Sequence, residues 1–200
     1  MSMGLSVYLV DLSVVRGAIG SNDEKLRRMI GGRFKRQIAS ADGQFAHEIE
    51  QGAPSRYEAL RAVIEGGPFD DRYGFQYGYA YQLVCEFYGK ALFNNEFSPY
   101  RGSWLEDVDA GLAQLGIKAV ELTDFAYGSP PSPLPQPEWA PAYGEWSPEE
   151  CREALAQWES TTPDQRQAVD HEVLEAIESC VGWFREAQNR EGFGIAGFNY

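Results

Sequence analysis

The chain has 200 residues, 44% of them hydrophobic and 24% charged, and a formal net charge of −13. That length and balance suit a globular protein that buries a core without disulfide or metal staples. The negative charge argues against nucleic acid and anionic membranes as partners, and no apolar run approaches the roughly 20 residues of a membrane-spanning helix.

The charge is uneven. Residues 1–137 hold 17 acids and 13 bases, whereas residues 138–191 hold 13 acids and 4 bases. Lys25, Arg27, Arg28, Arg33, Lys35 and Arg36 form a basic run that no acid interrupts. It reads either as a solvated helix face that pairs with the acidic end, or as a site for an anionic ligand or partner on Arg27, Arg28, Arg33 and Arg36. Cys85, Cys151 and Cys180 are odd in number and widely spaced. They read as inert core thiols, and the opening MSMGLSVYLVDL lacks the marks of a secretory leader, so the cytoplasm is the expected compartment.

In chain order, LSVYLVDL (5–12) mixes β-branched and aromatic residues at period two and predicts a central strand. VVRGAIGS gives a helical turn ended by Gly20. A helix then starts at Ser21 or Asn22 as cap, with Leu26, Met29, Ile30, Phe34 and Ile38 as its apolar stripe and a bend at Gly31-Gly32. Residues 40–55 read as loop with room for a short helix. PSRYEALRAVIEGG (54–67) predicts a helix that points Tyr57, Leu60, Ala62, Val63 and Ile64 inward and stops at Gly66 or Gly67.

RYGFQYGYAYQLVCEFYG (72–89) holds seven of the chain's 27 aromatic residues. Its alternation up to Tyr81 lacks a usable second face, and helical spacing takes over at Ala80. A glycine-aromatic loop over 68–77 feeding a helix over 78–93 is expected. Its tyrosines can bury their rings while keeping the hydroxyl near water or a ligand. Asp70 and Asp71, next to Arg72, read as turn formers.

SWLEDVDAGLAQLG predicts a helix capped by Ser103 and closed by Gly116. IKAVELTDF (117–125) predicts a second strand. Residues 128–144 carry six prolines in seventeen positions. They predict an extended segment lying against the protein surface. EWSPEECREALAQWES has Ser147 at the N-cap, Pro148 at N1 and Glu150 closing a capping box; Thr162, Pro163 and Gln165 repeat the pattern. The helix after Thr162 is expected to run about 27 residues, judged from its period-3.6 stripe. FGIAGFNY (193–200) predicts a last strand paired with the first. The whole reads as one α+β domain over 1–200: a small, mostly antiparallel sheet with N- and C-terminal strands, packed against about six helices.

The opening MSMGLSVYLVDLSVV, the proline-rich approach to EWAPAYGEWSPEECREAL, and the long last helix running into a hydrophobic strand resemble, in that order, the bacterial YfbM-like family. The resemblance implies a compact cytoplasmic α+β domain and carries no catalytic residues.

No phosphate-cradling glycine loop, nucleophile elbow or HExxH pair occurs in the sequence. His47 and His171 are the only histidines, and neither has the ligand spacing of a metal site. No cofactor, metal or catalytic residue is expected. The leading expectation is a cytoplasmic protein-binding module, of the immunity-protein or antitoxin kind, whose partner is a basic protein steered by charge. Its contact residues would be Tyr73, Phe75, Tyr77, Tyr81, Arg101 and Trp104. The alternatives are a small-molecule binder or unrecognised enzyme, with an aromatic pocket drawing polar contacts from Tyr81, Arg101 or Asp11, and a homodimer joined through the aromatic stretch.

Overall fold

The alternating apolar segments at the two ends of the chain build the sheet. In the computed structural model, which describes residues 3–200, four strands are seen: β1 (Leu5–Asp11), β2 (Lys90–Ala91), β3 (Ala142–Trp146) and β4 (Phe193–Asn199). Their order is β2-β1-β4-β3. β1 and β4 run antiparallel in full register, from Leu5 opposite Asn199 to Asp11 opposite Phe193. The α+β class and the pairing of the end strands are as the sequence predicts.

The described residues also form eleven α-helices rather than about six. These are α1 (Leu12–Gly17), α2 (Glu24–Arg33), α3 (Lys35–Gln44), α4 (Ala46–Glu50), α5 (Arg56–Glu65) and α6 (Gly74–Tyr88). They are followed by α7 (Trp104–Gln114), α8 (Asp124–Tyr127), α9 (Pro148–Glu159), α10 (Pro163–Gln167) and α11 (His171–Gln188). The chain divides into two compact units. One comprises Met1–Leu12, Gly89–Gly128 and Tyr143–Tyr200; the other comprises Ser13–Tyr88 and Ser129–Ala142.

The first unit carries the sheet, with α8, α9 and α11 against β4 and α7 against α11. Its core centres on Trp146, whose ring lies 4.5 Å from Phe125, 5.7 Å from Phe184 and 6.1 Å from Trp183. Both indoles are buried with their N–H groups satisfied. Trp146 Nε1 donates to the Glu121 carbonyl at 3.1 Å, and Trp183 Nε1 to the Phe93 carbonyl at 2.6 Å. A buried tryptophan keeps its large apolar contribution only when that donor has a partner.

The strand expected over 117–125 does not form. Side chains take the backbone donors that a neighbouring strand would have taken. Gln157 Oε1 accepts from the Lys118 and Ala119 N–H groups, at 2.7 and 3.2 Å. Asp109 accepts from the Leu122 and Thr123 N–H groups, at 2.6 and 3.0 Å. The segment ends in α8. The long C-terminal helix is likewise two helices. Thr162 opens α10 with the expected capping box, and Asp170 then starts α11 by accepting from Glu172 and Val173. Ser103 makes no backbone cap; its hydroxyl donates to Asp107 at 3.3 Å.

The second unit packs α5 on α6, with α2 and α3 against α5. Ser55 caps α5 in a full capping box, and Gly66 ends it at φ 80°, a left-handed conformation that glycine adopts without strain. Asp23, rather than Ser21 or Asn22, caps α2 by accepting from the Leu26 N–H at 2.9 Å. Residues 35–50, expected to be largely loop beyond 40, are the helices α3 and α4.

Candidate functional site

The aromatic stretch proves to be helical from Gly74, four residues earlier than the spacing suggested, because its glycines form a seat. A Cβ on Gly74 would stand 2.6 Å from the Gln136 carbonyl oxygen, and one on Gly78 would stand 3.1–3.2 Å from ring carbons of Pro137 and Pro141. Gly74 and Gly78 are i, i+4 neighbours on one face. The proline-rich segment therefore lies directly on α6, as a strap, from Gln136 to Pro141. Its last residues, from Ala142, leave the extended segment and enter β3.

The strap brings Trp139 to the edge of a cleft of about 340 Å³. Phe45 at the end of α3, and Phe75 and Tyr79 on α6, give its aromatic walls. The Phe45 ring stands 5.1 Å from Phe75 and 5.9 Å from Tyr79. Trp139 itself is 87% exposed. Glu48, Arg72 and Glu138 supply the charged lining.

Beneath the rings lies Arg56, only 6% exposed. Its guanidinium sits 4.4 Å from the Tyr79 ring centre and 5.7 Å from that of Phe45. Arg56 Nε donates to Gln76 Oε1 at 3.0 Å, while the buried Gln76 Nε2 has no partner among the described residues. Burial pulls the Arg56 pKa down to about 10, against the attraction of Tyr79 and Asp42. It stays charged at neutral pH, held by ring faces and one amide. Arg72 is tied by a two-pronged contact to Asp70, with Nη2 to Oδ2 at 2.6 Å, and the pairing holds the Asp70 carboxyl below its usual range. Asp70 also accepts from the Arg72 N–H, so it does serve the turn.

The six expected contact residues part company. Phe75 lines the cleft, and Tyr73 stands beside it at 6.5 Å, its hydroxyl donating to the Gln51 carbonyl. Tyr77 is buried against Phe69, and its hydroxyl accepts from the Asp70 N–H. Tyr81 is wholly buried, so it reaches no ligand. Arg101 and Trp104 belong to the sheet unit, where Trp104 donates to the Glu96 carbonyl. Neither they nor Asp11 line the cleft.

The basic run stays on α2 and α3. Arg27 and Arg28 face Glu24 at 3.5 and 3.9 Å, and Arg33 lies over Phe34 and Phe87. Arg36 is exposed. These pairings are local to one helix or its neighbours.

All three cysteines are free and buried, and burial raises each thiol, Cys151 to about 12. Among the described residues no three histidine, cysteine or carboxylate side chains gather as metal ligands, and no helix is long and apolar enough to cross a membrane.

The family model for a domain of unknown function, DUF7691, matches residues 1–200. The chain belongs to the DUF7691 family. That match spans both compact units. No curated protein and no solved structure matches the chain. Within this DUF7691 chain, sequence reasoning missed Phe45, Glu48, Arg56 and Trp139. The signal that could have found the site was the Gly74-x-x-x-Gly78 spacing, which marks a helix face that another backbone crosses.

Proposed function

We propose that this DUF7691 protein is a protein-binding module, and that the Trp139 cleft is its contact surface. One observation carries the reading: a tryptophan held almost fully in water beside three part-buried rings. Exposed indole is costly to leave in water, and tryptophan and tyrosine are the usual anchors of protein interfaces. The supporting wall is built, since the strap is fixed by close approach to α6 and the rings are backed by a buried arginine. The overall acidity adds on-rate with a basic partner, as in an immunity or antitoxin pair acting in the cytoplasm. The proposed kinship with the YfbM-like family adds no activity to this reading.

The test places a photo-crosslinking amino acid at position 139 in the cell of origin. A control chain carries it at Tyr127, another exposed aromatic position. The expected result is one polypeptide adduct, formed from 139 and absent from 127. Equal labelling from both positions, or no polypeptide adduct from 139, refutes the proposal.

A further inference from the structure

We infer that the Trp139 cleft takes an organic cation, and that its occupant is the guanidinium of an arginine side chain on the partner. The inference rests on reading this cleft as the contact surface, and it names what that surface selects.

Four carboxylates and two guanidinium groups bear on the cleft. The two cations are already answered. Arg72 is clamped by Asp70, and the Arg56 guanidinium is held by the Tyr79 and Phe45 rings and the Gln76 amide, while Asp42 Oδ1 accepts the Arg56 backbone N–H at 2.7 Å. Glu48 and Glu138 line the cleft and make no ion pair among the described residues. The site therefore keeps two unpaired carboxylates among ring faces that are themselves electron-rich. Tyr79 and Phe45 already accept a guanidinium from below, in Arg56. A volume of about 340 Å³ lies at the lower end for small-ligand pockets and suits one long side chain. A planar, weakly hydrated guanidinium stacks on Trp139 and Phe75 better than a compact ammonium does. An anionic occupant would face Glu48 and Glu138 without relief.

The full chain, grown with 5-fluorotryptophan, gives one fluorine resonance for each of its five tryptophans. A Trp139→Phe variant assigns the one at the cleft. The probes are acetylated, amidated Gly-Xaa-Gly peptides in which Xaa is arginine, lysine, citrulline or glutamate. The expected result is a saturable shift of the Trp139 resonance alone with arginine. Citrulline, equal in shape and uncharged, should bind about tenfold more weakly. Glu48→Gln with Glu138→Gln should weaken the arginine peptide about fivefold, with less effect at high salt. No shift with arginine up to its solubility limit, equal binding of citrulline, or tighter binding of lysine or glutamate overturns the inference. The two readings fail separately. A partner crosslinked at 139 that still binds after its interface arginines are replaced removes the cation site and leaves the binding module. An arginine-selective shift without any crosslinked polypeptide does the reverse.

Discussion

Replacing Gly74 with alanine probes the seat on which Trp139 depends. Gly74 has ordinary helical angles, φ −48° and ψ −34°, so alanine suits its backbone. Propensity alone predicts a gain of up to about 1 kcal/mol, less at this first helical position. Contact predicts the opposite. The new Cβ would lie 2.6 Å from the Gln136 oxygen and 2.9 Å from its carbonyl carbon, where ordinary contact begins at 3.4 Å. The shortfall is with backbone, so no side-chain rotation relieves it and the strap must lift. Overpacking of this kind costs about 1–3 kcal/mol, which leaves Gly74→Ala about 1–2 kcal/mol less stable. Gly78→Ala is the internal control. Its Cβ meets proline ring carbons at 3.1–3.2 Å, a gap that ring pucker can close, and mid-helix propensity offsets the strain. It should change stability by less than about 0.5 kcal/mol. Urea unfolding followed by far-ultraviolet circular dichroism gives both values, and the fluorine resonance of Trp139 reports the strap. A Gly74→Ala chain as stable as wild type, with that resonance unmoved, would show that the strap does not bear on α6.

Arg56→Met removes the charge beneath the rings and the donor to Gln76, leaving both polar ends of a buried amide unpaired; a loss of about 2–4 kcal/mol is expected in the same urea assay. Asp109→Asn sets an amide N–H against the donors of Leu122 or Thr123, and should cost about 1–3 kcal/mol at neutral pH. Burial raises the Asp109 pKa above 3.8 in spite of those hydrogen bonds. The native state then binds the proton more tightly than the unfolded chain does. This contribution is whole below pH 3.8 and is lost as pH rises through the raised value. The stability gap between wild type and Asp109→Asn should therefore narrow over that window, and a gap that widens with pH contradicts the assignment. The raised thiols of Cys85, Cys151 and Cys180 should resist iodoacetamide at pH 8 in the folded chain and all react in urea, read by intact mass.

What the sequence made legible was local chemistry with its own partner close by. Ser147 and Thr162 each announce a capping box by a glutamate or glutamine three residues on, and each box forms. The end strands were readable as short apolar runs, which the fold buries on both faces, and two such strands satisfy each other's edges. What failed depended on distant side chains. Residues 117–123 have strand composition, but Gln157 and Asp109, 13 to 39 residues away, hold their backbone instead. Gly74 looked like a loop residue because the strap that requires it lies some 60 residues on. For the same reason Tyr81 looked available and is sealed, whereas Trp139, inside a proline-rich run, looked structural and is the most open ring of the site. Arg56 could not be placed by pattern, since a buried arginine is recognised only from the rings that hold it.

The most direct measurement is the affinity of the purified partner, once captured at position 139, for wild type, Trp139→Ala and Tyr127→Ala by titration calorimetry. An interface anchor is worth about 2 kcal/mol or more, so Trp139→Ala should weaken binding by roughly 30-fold while Tyr127→Ala leaves it unchanged. Binding that is equally strong without the indole would contradict the account.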